Sequence, residues 1–365
     1  MPPAGQVRYL PSVPTTLSPR FRAVLAVQRR LSTAILESPI LVAMLARSRS
    51  TPRDGRVLDP RTAAVLALDD LDRGSDLSGY PPVEARSRFA AQIAAVDAPP
   101  PPGVTVEALQ ASSHAGPIPL RLYLPPGTPA PAPAIVYFHG GGWVIGDLDT
   151  HDALCRRLAV AARCRMVAVD YRLAPEHRFP AAVEDAVAAF RWVIAHAGDI
   201  GIDAARVAVA GDSAGGNLSA VVALKTRGDA HPPVVQALIY PGTDGTRSQP
   251  SHAELREGYI LSERMIGWFL DHYVSEGERR HPDFSVLDAE DVRGAAPALV
   301  YTAGFDPLRD EGRAYAERLR AVGGLTRYVE FSSLIHGFAQ MTGVLPAARL
   351  AFDEIAADLG RALHG

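Results

Sequence analysis

Cysteine is almost missing from this chain of 365 residues, which holds only Cys155 and Cys164. The two stand nine positions apart in a stretch that reads as a helix running into a strand. That spacing suits neither a disulfide framework nor a metal site, so both are expected to be small buried hydrophobes. Lysine is scarcer still: Lys225 stands alone among 37 basic residues, a bias toward arginine that carries no functional reading. An excess of one charge is missing too. A formal net charge of −3 is too weak a field to hold nucleic acid, which is therefore not expected as a partner. Long hydrophobic runs are also absent. The longest near the start, residues 39–46, is far shorter than the roughly 20 apolar residues of a membrane-spanning helix. Pro11, Pro14, Arg29, Arg30 and Pro39 interrupt the N-terminal region, so no export signal is read there and a cytoplasmic location is expected. Neither an H-E-x-x-H pattern nor a cysteine–histidine cluster occurs, so no metal or cofactor is implied.

What the chain does have is apolar residues, 47% of the total, at a length that suits one large α/β domain with an accessory piece. Prolines mark its divisions. The run Pro99-Pro100-Pro101-Pro102-Gly103 can be neither helix nor central strand, and it sets the expected boundary between an N-terminal helical cap or extension, 1–103, and a catalytic domain, 104–365. Short apolar runs at 104–108, 120–124, 134–138, 165–169, 206–210, 234–240, 299–302 and 327–331 predict eight strands. Helical patterns at 152–162, 181–195, 216–226, 309–322 and 347–363 alternate with the later ones. Such alternation predicts a mostly parallel sheet with helices on both faces, its first two strands joined as an antiparallel pair. A further helical pattern at 260–273 breaks the rhythm and predicts a cap insertion, about 247–275, over the carboxyl edge of the sheet. Residues 1–66 carry arginines at 8, 20, 22, 29, 30, 47, 49, 53, 56 and 61 against Glu37, Asp54 and Asp59. A basic amphipathic stretch of this kind suits a cap helix that faces water, or peripheral contact with an anionic lipid surface, and the cap reading is preferred. An exposed edge strand in such a sheet would also suit a homodimer.

Chemistry enters at Gly211-Asp212-Ser213-Ala214-Gly215, a G-x-S-x-G pattern between a predicted strand and a predicted helix. A nucleophile at a tight strand-to-helix turn needs strained backbone angles, and the chain then passes so close that glycine is required two positions to either side. The same turn leaves the backbone N–H of Ala214 aimed at an oxygen that becomes negative when Ser213 attacks. His139-Gly140-Gly141-Gly142-Trp143 follows another predicted strand, where Gly141 and Gly142 would complete an oxyanion hole. In this chain order the acid and base come after the serine. Asp306 lies just past the strand 299–302, and His336 past 327–331, so they are the acid and the base expected. Asp310 is a rival acid, set aside because a residue held in a helix reaches less far than one in a loop. His114, His151, His252 and His281 are expected at the surface.

Taken together, HGGGW at 139–143, DYRLAPEHRFPAA at 170–182, GDSAGGN at 211–217, DPLRDEG at 306–312 and HGF at 336–338 resemble the hormone-sensitive lipase-like family of α/β-hydrolases, over roughly 104–365. The resemblance implies an α/β-hydrolase fold with a helical cap. It also implies a triad of Ser213, Asp306 and His336, an oxyanion hole at Gly141, Gly142 and Ala214, and no catalytic role for Glu176 or His177, which would belong to a polar network. The activity it implies is hydrolysis of a small-molecule carboxylic ester, with short to medium acyl chains preferred. Long-chain lipase action and amide or arylacetamide cleavage are the alternatives. A non-catalytic small-molecule receptor is more remote, because plant gibberellin receptors resemble this family but lack the histidine that His336 supplies here.

Overall fold

The computed structural model describes residues 35–49, 52–71 and 75–365. The arginines at 8, 20, 22, 29 and 30, which make the N-terminal region basic, lie outside the described residues. Eight strands form one sheet: β1 (Thr105–Ser113), β2 (Gly116–Leu124), β3 (Ala132–Phe138), β4 (Arg165–Val169), β5 (Ile202–Asp212), β6 (Gln236–Ile239), β7 (Ala298–Phe305) and β8 (Thr326–Ile335). Their order is β1-β2-β4-β3-β5-β6-β7-β8. The first two form a hairpin and β2 runs antiparallel to β4, while the other pairings are parallel. This is the mostly parallel sheet that the alternating pattern predicts.

Among the described residues, three helices come before the sheet: α1 (Pro39–Ala46), α2 (Pro60–Asp69) and α3 (Pro82–Val96). Later come α4 (Asp152–Ala162), α5 (Ala181–Ala195), α6 (Ala214–Lys225), the short α7 (Pro250–Glu254), α8 (Glu263–Tyr273), α9 (Arg309–Ala321) and α10 (Pro346–His364). Five of the prolines start helices. α1, α2, α3, α7 and α10 each begin on one, at the position where a missing N–H costs nothing and a fixed φ favours the first turn. Side chains cap two of these starts, Ser38 accepting from Leu41 N and Asp59 from Thr62 N.

All seven residues of β3 are buried, and period-two alternation splits them between two cores. Val136 and Phe138 pack with Phe190 of α5, Val221 of α6 and Leu319 of α9. Ile135 and Tyr137 pack with Leu158 of α4 and Ile355 of α10. Cys155 and Cys164 are buried free thiols in the second core, as their spacing suggests. The route out of β3 leads through α4 to β4 on one side, and the route out of β5 leads through α6 to β6 on the other. Diverging connections of this kind open a crevice beyond the carboxyl ends of β3 and β5.

Polar ties hold the leading helices to the sheet. Arg86 of α3 donates to Val144 O (2.8 Å) and Ala174 O (2.9 Å), and both its terminal nitrogens meet Glu176 (2.8 and 2.6 Å). Beside it, Asp97 accepts from Arg157 (2.5 Å) and Thr342 (3.0 Å). Glu176 is thus a partner of α3, held down to a pKa of about 2 by its hydrogen bonds to Arg86. His177 is exposed. No helix among the described residues is long and apolar enough to cross a membrane.

Candidate active site

Ser213 sits between the last residue of β5 and the first of α6, with φ 53° and ψ −117°. A side chain rarely holds positive φ, so the surrounding packing must enforce it. Gly211 and Gly215 make that packing possible, because a Cβ on either would run into the Phe138 carbonyl of the neighbouring β3. The elbow is closed by Ser213 N donating to Ile239 O (2.8 Å) and Gly242 N donating to Ser213 O (3.3 Å).

His336 follows the end of β8, and Gly337 at φ 79° turns the chain away behind it. Its Nε2 lies 3.0 Å from Ser213 Oγ and its Nδ1 2.8 Å from Asp306 Oδ2. The carboxylate of Asp306 is fully buried, and its other oxygen accepts from Leu308 N (2.8 Å), which fixes it at the approach to α9. Tyr240 packs its ring 4.7 Å from that of His336. Asp310, the rival acid, is turned elsewhere, toward Arg309 (2.8 Å), Arg313 (2.9 Å) and Ser251 N (3.1 Å).

Gly141 and Gly142 form the loop beyond β3 with φ 116° and 58°. Their N–H groups, and that of Ala214 at the start of α6, have no acceptor among the described residues. All three residues line the same cavity as Ser213 and His336. A Cβ on Gly142 would overlap the ring of Phe269 from α8, so the helix predicted to interrupt the strand rhythm lies directly on this loop.

Two histidines contradict their expected surface position. His151 is buried, with Nε2 3.3 Å from Asp212 Oδ1, and that same oxygen accepts from Tyr137 OH (2.8 Å) and Gly140 N (2.9 Å). Burial alone would raise the Asp212 pKa, but the charge of His151 and these donors hold it below the usual carboxylate range. One carboxylate therefore ties the elbow to the glycine loop. His252 lines the cavity, its Nε2 2.6 Å from Glu311 Oε2, while the other Glu311 oxygen accepts from Thr243 N (2.5 Å). Burial raises the Glu311 pKa, and the imidazole beside it limits the rise. His114 and His281 are exposed, as expected. Asp212 and Glu311 were within the quoted motifs, but nothing local in the sequence announced their histidine partners. Next to the loop, His139 is buried against Tyr171, and desolvation followed by the nearby His151 lowers its pKa to about 4.

The cavity over these residues measures about 1050 Å³. Apolar side chains from several directions form much of it, among them Phe89 and Ile93 of α3, Met265 and Phe269 of α8, and Met341.

A profile of the alpha/beta hydrolase fold family matches residues 135–340. The carboxylic ester hydrolase LipN of Mycobacterium tuberculosis is 44% identical over 312 residues, covering 82% of this chain and 81% of that one. Ethyl acetate hydrolase of Pseudomonas putida is 37% identical over 301 residues, covering 80% and 95% of the two chains. Among solved structures, the ester-hydrolase EH1AB1 from the metagenome of Lake Arreo matches with a TM-score of 0.80 at 43% identity, covering 84% of this chain and 99% of that one. Sheet order, profile and relatives agree, and the chain belongs to the hormone-sensitive lipase-like family of α/β-hydrolases.

Proposed function

We propose that this protein is a carboxylic ester hydrolase that works through an acyl-enzyme on Ser213. The observation that carries the reading is the unbroken relay from Ser213 Oγ through His336 to Asp306, at 3.0 and 2.8 Å. Ser213 Oγ adds to the ester carbonyl carbon as its proton passes to His336 Nε2, and Asp306 holds the imidazolium in place. Negative charge on the former carbonyl oxygen is met by the N–H groups of Gly141, Gly142 and Ala214. When the carbon–oxygen bond to the alcohol breaks, His336 returns the proton to the leaving alkoxide. Water then repeats the sequence and frees the acid. Residues 1–103 and the insertion at 247–275 act as the cap over this centre in the reading, and 104–365 as the catalytic domain.

Names of relatives point the same way, since LipN is a carboxylic ester hydrolase and the Pseudomonas protein an ethyl acetate hydrolase. Short to medium acyl groups are the proposed substrates, and the cavity, just above the usual ligand-site range of about 300–1,000 Å³, accommodates them with room to spare. A fluorophosphonate probe, with turnover of nitrophenyl esters of increasing acyl length beside a matched anilide, tests the reading. Labelling of wild type but not of Ser213→Ala, with ester turnover lost in the variant, is the expected result. Full ester turnover by Ser213→Ala would refute it.

A further inference from the structure

Most charged groups that line the cavity already have partners. Asp70 meets Arg49 (2.6 Å), Asp76 accepts from Ser78 N (2.9 Å), Arg88 meets Glu84 (2.9 Å), and Glu311 meets His252 (2.6 Å). Arg247 is different. It lines the cavity half-buried, and its guanidinium has no hydrogen bond or ion pair among the described residues. The nearest acid in sequence is saturated: Asp244 Oδ1 accepts from Thr246 N (2.9 Å) and Oγ1 (2.6 Å), and Oδ2 from Ser248 N (2.7 Å) and Oγ (2.7 Å).

Those four bonds also wrap the loop that presents Arg247. Its backbone is held at φ 56°, with Arg247 N donating to Asp244 O at 3.2 Å. A non-glycine residue in that conformation is costly and persists where its surroundings fix it. The chain thus fixes, on the wall of its substrate cavity, an arginine without a carboxylate of its own. A guanidinium offers donors in a planar fork that fits a carboxylate through two parallel bonds. His252 lines the same cavity close by in sequence, with Nδ1 unpartnered among the described residues while Nε2 meets Glu311.

We propose that Arg247 is a specificity-determining residue that binds a carboxylate carried by the substrate, so that the preferred esters are anionic ones such as hemiesters of dicarboxylic acids. The proposal rests on the esterase reading above and names the substrate class for the same cavity. An apolar wall with one fixed cation receives the methylene chain of such an acid and pairs its far end, while the ester end lies at Ser213.

The test compares monoethyl with diethyl esters of succinate, adipate and suberate, in wild type, Arg247→Met and Arg247→Lys. Expected is at least one chain length at which wild type favours the hemiester. The hemiester-to-diester ratio of kcat/KM then falls at least tenfold in Arg247→Met, mainly through KM, and is partly kept in Arg247→Lys. Because both esters are read on the same preparation, the ratio does not depend on how much variant enzyme folds. Diester turnover with a ratio that ignores Arg247 at every length would overturn the carboxylate site alone. Failure to hydrolyse diesters and hemiesters alike would overturn the esterase reading with it.

Discussion

Two aspartates four residues apart, Asp306 and Asp310, have opposite surroundings, and this separates their expected effects. Asp306 gives one oxygen to Leu308 N and the other to His336 Nδ1, so its amide analogue would offer the imidazole a donor where an acceptor is needed. Asp306→Asn is expected to lower kcat by about 10⁴, as loss of the correct tautomer does in a serine triad, with steady-state kinetics on a nitrophenyl ester as the check. Asp310 instead joins Arg309, Arg313 and the N–H of Ser251. Asp310→Asn is expected to lower the melting temperature and leave kcat near its starting value. A sequence reader could separate the two by loop against helix, and could pick out Ser213 and His336 by motif and chain order. His151 and His252 could not be placed in the same way. Each pairs with a carboxylate supplied by a remote element, Glu311 lying 59 residues beyond His252, and Asp212 ending β5 while His151 precedes α4.

At the level of elements, α8 lies against the glycine loop, with Gly142 under Phe269 and Trp143 stacked on Tyr273. Gly142→Ala forces either the ring or the loop aside. The expected loss in kcat is of order 10²–10³, the usual effect of removing one oxyanion donor, and Gly142→Ala with Phe269→Ala should regain part of it. A double-mutant cycle on kcat reads the coupling; strictly additive losses would show that the ring and the loop act separately. Elements themselves were largely legible, since apolar runs marked all eight strands and the limits of α4 and α5 agree with their helical patterns. Strand ends were less so. β8 extends to Ile335, four residues past its predicted end, because Ile335 pairs with Phe305 across a register shift after Ala303. Ser332 and Ser333 hide that continuation in the sequence, since neither supplies the apolar alternation by which a strand is recognised.

Stability of the whole molecule should fall in mild acid, and His139 is one reason. Burial first, then the charge of His151, lowers its folded pKa to about 4 from an ordinary value near 6.5. As pH falls below that ordinary value, the unfolded chain takes up a proton that the native state refuses, so stability is lost until about pH 4 and no further from this group. Between pH 7 and pH 5 the loss amounts to about 2 kcal/mol. His252 acts in the opposite direction. Burial opposes its charge most, but the hydrogen bond it donates to Glu311 and the negative charges of Glu311 and Asp244 together outweigh burial, so its raised pKa adds stability as the pH falls. Urea unfolding at both pH values therefore has to compare wild type with His139→Gln, and an unchanged pH slope in the variant would contradict the assignment.

The carboxylate of Asp212 reaches further than its place beside Ser213 suggests. Since it anchors Gly140 as well as ending β5, the strand that leads into Ser213, the proposed attack and anion stabilisation cannot be retuned separately at that position. Random libraries opened together at residues 137, 151 and 212 should return few active clones changed at 212, and those should carry second changes at Tyr137 or His151, the other two groups that share its oxygen.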